Sequence, residues 1–135
     1  AAYWQAVGID TKVRIFEFTE YLNRLFDRET RGDAIFVTSS NELLDADKSF
    51  SAYYRAGGIG SSNSDTTLAG LIDSARTETD MAKRASMYHQ AVKLAYDNAY
   101  FTWLLNIEDI YGVSAKIDWA ARVDAKILVK EMTLK

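Results

Sequence analysis

The sequence predicts an α/β fold, a mixed sheet flanked by helices, in a single domain spanning residues 1–135. Three observations predict it. Residues 11–38 read as strand, helix and strand, and residues 64–97 carry two capped helical stripes in tandem. Residues 100–107, "YFTWLLNI", are apolar on both faces, the mark of a central strand covered above and below.

The elements follow in order. In "AAYWQAVGID", Ala2, Tyr3, Ala6 and Val7 form the tail of an amphipathic helix ended by Gly8. No initiator Met precedes it, so the chain reads as a piece of a longer protein. "TKVRIFEF" (11–18) alternates and is rich in β-branched and aromatic residues, which predicts a strand. Thr19 is the expected N-cap of a helix that carries Tyr21, Leu22, Leu25 and Phe26 on one face. Gly32-Asp33 predicts a turn and "AIFVT" (34–38) a short buried strand. A strand–helix–strand unit of this length favours parallel strands joined by a right-handed crossover.

An acidic loop comes next, then "FSAYYRAGG", a short helix stopped by Gly57-Gly58. Ser64 or Asp65 caps a helix with the stripe Leu68, Leu71, Ile72 and Ala75. Thr79 or Asp80 caps another with Met81, Ala85, Tyr88, Val92 and Ala95. Leu71, Ile72, Tyr88 and Val92 are the expected core. "IYGV" continues the central strand after a bend at Glu108-Asp109, and "AKILVKEMTLK" supplies a last, edge-like strand.

Composition narrows the function classes. The 16 Lys and Arg residues are dispersed among 19 Asp and Glu residues, for a net charge of −3. With no basic stripe to neutralise phosphates, nucleic acid is a poor partner. Cysteine is absent, so thiolate nucleophiles, disulfides and Cys-ligated metals are excluded. No apolar run reaches the length of a membrane span, so no direct membrane insertion of this segment is expected.

The stretch "FVTSSNELLDADKSF" (36–50) places Glu42, Asp45 and Asp47 within six residues behind an apolar strand. A calcium loop started at Asp45 puts Phe50 where a glycine is needed and Ala56 where a bidentate Glu is needed, so the register fails. His89 is the sole imidazole and has no second His one helical turn away, which leaves zinc without ligands. No metal or cofactor is expected. There is no "GxSxG" elbow and no Ser followed by Lys at the third position, and "GGIGSS" lacks the Lys of a phosphate loop. A carboxylate pair for glycoside hydrolysis, Glu42 with Asp45 or Asp47, stays open on spacing alone. A carboxylate leaving the end of a buried strand is also well placed to meet a cation in a cleft.

Several stretches carry a resemblance. "WQAVGIDTKVRIFEFTEYLNRLF" is similar to the helix, "GI", strand and Tyr-Leu helix of the oligopeptide/dipeptide-binding family of extracytoplasmic solute-binding proteins that serve ABC importers. "DAIFVTSSNELLDADKSF" resembles that family's "D…GWxxD…DPDxF" loop, and "LAGLIDSARTETDMAKRASMYHQAVKLAYDNA" its long helix pair. "YFTWLLNIEDIYGV" stands where the family has an apolar strand running into "VYAV". The resemblance runs through nearly the whole chain, in order.

It implies the C-terminal lobe of a two-lobe periplasmic-binding-protein-like fold that closes around a solute, binds without catalysing and hands the solute to the permease subunits of the transporter. It implies a periplasmic or otherwise extracytoplasmic parent. Counted from Asp33 without a gap, Glu42 falls where many peptide binders carry an Asp that pairs with the ligand's α-amino group. Ser39 falls on the Trp of "GW", and Asp45-Ala46-Asp47 on "DPD". Main-chain groups at Thr38, Ser39, Ser40 and Asn41 are then candidates to pair with an extended peptide. Asp45 and Asp47 are expected to hold the loop and cap the helix after it. Nickel chelate, haem or oligosaccharide are alternative solutes, with Tyr53, Tyr54 and Trp119 as the aromatics a sugar would stack on.

Overall fold

The structure, a computed structural model, describes residues 1–32 and 34–135. The expected turn at Gly32-Asp33 is therefore described only at Gly32, whose φ is +81°; Asp33 lies outside the described residues. The chain divides into two compact units, residues 1–36 and 37–135.

In the first unit, helix α1 (Ala2–Ala6) ends at Val7, and Gly8 follows with φ +86°, a left-handed turn open to a residue without Cβ. Residues 11–17 form no ladder. Helix α2 (Phe18–Phe26) is capped by Glu17 rather than Thr19: the Glu17 carboxylate accepts from the Thr19 N–H at 2.8 Å. The cap thus sits two residues earlier than expected and takes the Thr19 N–H, whereas a Thr19 hydroxyl would have taken that of Tyr21 or Leu22. Leu25 is buried on the inner face of α2, while Phe26 is about half exposed. Tyr21 donates its hydroxyl to the Phe36 carbonyl at 3.0 Å, and the Arg24 guanidinium lies 4.4 Å from the Phe16 ring centre.

The second unit is built on a helix pair. Helix α3 (Ala46–Ser49) runs straight into a π-helical turn (Phe50–Tyr54), closed by the Arg55 N–H on the Phe50 carbonyl at 2.8 Å. Helix α4 (Thr66–Thr77) begins at Asp65, whose carboxylate takes the Thr67 and Leu68 N–H groups. Helix α5 (Met81–Asp97) begins in the same way at Asp80, on Ala82 and Lys83. Leu68, Ile72 and Ala75 from α4 meet Tyr88, Ala91 and Ala95 from α5, with Phe50 completing the core. Leu71 packs against this cluster from its edge.

Val92 does not join it. The side chain is 41% exposed, because the face of α5 turned to α4 runs through Tyr88, Ala91 and Ala95. Small side chains let two helices approach closely, and the larger Val92 falls on the flank.

Regular strand structure among the described residues is one antiparallel ladder, β1 (Ile117–Asp118) with β2 (Thr133–Leu134), preceded by a 3-10 turn (Val129–Glu131). The expected edge-like strand at the C-terminus is thus present as two residues. Segments 34–38 and 100–107 form no ladder. A strand exists only through the N–H and C=O groups of a neighbour, and apolar patterning does not supply one. Phe101 nevertheless packs on the core, its ring 4.5 Å from Tyr54.

Candidate functional site

The acidic loop lies against α4 and α5, held by two of its three carboxylates. Asp45 caps α3 by accepting the Asp47 N–H at 2.8 Å, and the same oxygen takes Nη2 of Arg84 at 2.7 Å. Arg84 also donates Nε to the Ala75 carbonyl at 3.2 Å, at the end of α4. Asp47 Oδ1 gathers the Ser51 hydroxyl at 2.7 Å, the Tyr88 hydroxyl at 3.2 Å and Nε of Arg76 at 3.2 Å. Asp73, one turn before Arg76, holds Arg55 through both carboxylate oxygens at 2.8 Å. The hydrogen bond from Arg84 holds the Asp45 carboxyl below its usual range, and Arg55 does the same for Asp73. Burial pushes the Tyr88 phenol up.

Glu42 faces a different partner. Its Oε2 takes the ammonium of Lys48 and, at 3.2 Å, the Ser40 hydroxyl. The same ammonium donates to the Ser40 carbonyl at 2.8 Å. Both side chains stay partly open to solvent, 29% for Lys48 and 40% for Glu42. The hydrogen bond from Lys48 draws the Glu42 carboxyl down to about 2. A main-chain carbonyl and a carboxylate that itself accepts from the Ser40 hydroxyl thus converge where a primary ammonium sits.

Asn41 steadies the far side of this loop by donating Nδ2 to the Asp45 carbonyl at 2.9 Å, and its own carbonyl takes the Leu44 N–H at 3.0 Å. Its side-chain oxygen is buried and meets no donor among the described residues. Thr38, Ser39 and Ser40 are exposed, and among the described residues the Ser39 hydroxyl makes a long 3.5 Å contact to the Ser40 carbonyl. Of the residues singled out in the sequence, Ser40 and Glu42 share one partner, Asn41 braces the loop, and Asp45 and Asp47 anchor it to the helices.

Lys48, Arg76 and Arg84 were not among those residues. Lys48 carries a legible signal, a cation six residues after Glu42 in the same polar stretch. Arg84 lies 39 positions from Asp45, and no local pattern joins them.

The remaining candidates sit elsewhere. Tyr54 is sandwiched by Phe50 and Phe101, each ring centre 4.5 Å away, and Trp119 is set edge-on to Tyr111 at 5.2 Å. Tyr53 covers Gly60, where a Cβ would fall 2.4 Å from its ring. His89 is exposed on α5 and lines two shallow apolar depressions, one of about 290 Å³ over Phe50 and Tyr88 and one of about 530 Å³ beside Tyr96 and Trp103. None of residues 38–42 lines either. Among the described residues no three His, Asp or Glu side chains come together in a way that could hold a metal ion. No helix among them is long and apolar enough to cross a membrane.

Compared with family models, with curated proteins and with solved structures, the chain finds no match.

Proposed function

We propose that this chain is an α/β lobe of the solute-binding component of an ABC importer, working outside the cytoplasm, and that its acidic loop receives the α-amino group of an oligopeptide at Glu42. The observation that carries the reading is the ammonium of Lys48, which Glu42 and the Ser40 carbonyl hold between them. Acceptors that suit one primary ammonium suit another, because the charge and the hydrogen-bond donors are the same. The loop resemblance in "SSNELLDADKSF" supports the same reading from the sequence side. The large exposures of Val13, Ile15, Leu104, Leu105 and Ile110 support further elements covering them in the complete two-lobe fold. Binding would be followed by lobe closure and delivery to the permease subunits, with no chemistry done on the peptide.

A single wall leaves most of a cleft ligand in water, so this chain alone should bind with a dissociation constant on the order of millimolar. Amide NMR titration with trialanine suits that range. Free trialanine should shift the signals of Ser40, Asn41 and Glu42, N-acetyl-trialanine should not, and Glu42→Gln should abolish the response to the free peptide. Asp45→Asn serves as a control that weakens the loop anchor while leaving the acceptors at Glu42 in place. If the acetylated peptide shifts these residues as much as the free one, Glu42 is not an amino-group anchor.

A further inference from the structure

The contacts that support the proposed site also show what a ligand meets there. Lys48 is the third residue of α3, a helix whose start is fixed by the Asp45 cap and, through Asp45, by Arg84 of α5. The root of its side chain is therefore anchored. Its ammonium sits at the end of a four-carbon stem with several torsions, a point charge that a second ammonium can displace. From that root it reaches back to Glu42 and the Ser40 carbonyl, closing the loop on itself.

We infer that Lys48 is a tethered competitor for the cation site, occupying the acceptors of Glu42 and Ser40 until a ligand ammonium displaces it. The inference rests on the reading of Glu42 as an amino-group anchor. Two costs follow for an incoming ammonium. It must break the Lys48–Glu42 pair, and it must then settle beside a second positive charge. Lys48 is thus a specificity residue: it sets a threshold that a cation with few other contacts does not cross, while an extended peptide with main-chain partners does. The depressed ionisation of the Glu42 carboxyl agrees with a site already filled by a cation.

Apparent affinity falls by the fraction of molecules in which the site is open. A partly exposed pair of this kind keeps the site closed in most molecules, so freeing it should improve affinity about fivefold. The test uses Lys48→Met, which keeps the stem's length and removes its charge, with Lys48→Arg as the charge-conserving variant. The probe is trialanine amide, whose blocked C-terminus presents the ammonium alone, followed by the amide shifts of residues 40–42. A side-chain carbon NMR titration of Glu42 without ligand reports the pairing independently.

In Lys48→Met the Glu42 carboxyl should titrate above its value in the parent, toward the ordinary glutamate range. Trialanine amide should bind about fivefold tighter than to the parent. N-acetyl-trialanine should be unaffected, and Lys48→Arg should behave as the parent. If the Glu42 titration does not move, or moves while the amide binds both proteins equally, Lys48 is no competitor and the inference fails alone. If neither parent nor variant responds to the amide at any concentration up to solubility, the amino-group reading fails and takes the inference with it.

Discussion

Replacing Ile72 with alanine removes Cγ1, Cγ2 and Cδ1 from the most enclosed part of the helix pair. Ile72 has no exposed surface and lies in the cluster of Phe50, Leu68, Ala75, Tyr88, Ala91 and Ala95. At roughly 0.8 kcal/mol for each buried carbon, the transfer loss is about 2.4 kcal/mol. The neighbours that would have to collapse into the gap include three alanines, which have no side-chain torsions to adjust, so part of the cavity persists. The total should reach about 3–4 kcal/mol, inside the range of about 2–5 seen for buried Ile→Ala changes. Against a typical stability of about 5–15 kcal/mol, that is a large fraction. Val92→Ala is the internal comparison: 41% exposed and on the flank of α5, it should cost less than about 1 kcal/mol. Urea unfolding followed by far-UV circular dichroism measures both, with the midpoint shifting and the slope unchanged. A loss below about 1 kcal/mol for Ile72→Ala, or equal losses at the two positions, would refute the placement of the core seam.

Two further outcomes can be checked with the same instruments. Glu42, Asp45, Asp65 and Asp73 all ionise below their usual ranges, Glu42 through Lys48, Asp45 through Arg84, Asp65 through the Leu68 N–H, and Asp73 through Arg55. Each then binds fewer protons folded than unfolded, so its stabilisation is full above the unfolded carboxylate range of about 4 and drains as pH falls through the lower folded value. Urea midpoints should therefore hold between about pH 7 and 5 and decline steadily below about 4, less steeply in Asp65→Asn; a midpoint still level near pH 2.5 would contradict these shifts. The second outcome concerns two glycines. A Cβ on Gly70, within α4, meets nothing within 4 Å, so Gly70→Ala should raise stability by about 0.5–1 kcal/mol. A Cβ on Gly58 would lie 2.5 Å from the Ser51 carbonyl oxygen and 2.7 Å from that of Ala52, backbone atoms that cannot swing aside. Gly58→Ala should lose about 1–3 kcal/mol, and thermal melts moving in the same direction for both variants would overturn the contrast.

How much was legible depends on whether the controlling partner is near in sequence. The caps of α4 and α5 at Asp65 and Asp80 were within the sequence's reach, since an N-cap acts on donors two and three residues on. The stripe Leu68, Ile72 and Ala75 was equally readable, because helical period fixes which side chains share a face. Val92 was not, since Ala91 and Val92 compete for the same seam and only the approach of α4 chooses the smaller. The π-helical turn at Phe50–Tyr54 leaves no compositional trace, whereas the stack of Phe50 on Tyr54 at 4.5 Å follows from their spacing of four residues. Patterning at 11–18 and 100–107 marks residues able to face a core, whereas ladder formation depends on a neighbouring backbone that no pattern encodes. For the site, the acids stood out as a group. The resemblance already set Glu42 apart from Asp45 and Asp47, but their partners, Lys48 for the one and Arg84 and Arg76 for the others, are a matter of three-dimensional placement.

That division bears on the order in which the second unit comes apart. Asp45 and Asp47 are bound by side chains rooted in α4 and α5, so the loop carrying Glu42 has no independent existence as a folded piece. Segments fixed chiefly by long-range partners open together with those partners, whereas segments fixed by their own neighbours fray first. Amide protons around Asp45 and Asp47 should therefore exchange together with the middle of α5, despite lying in a short polar stretch near the surface. A loop joined in this way to its supporting helices is expected to be present whenever the helix pair is folded and to be lost when it melts.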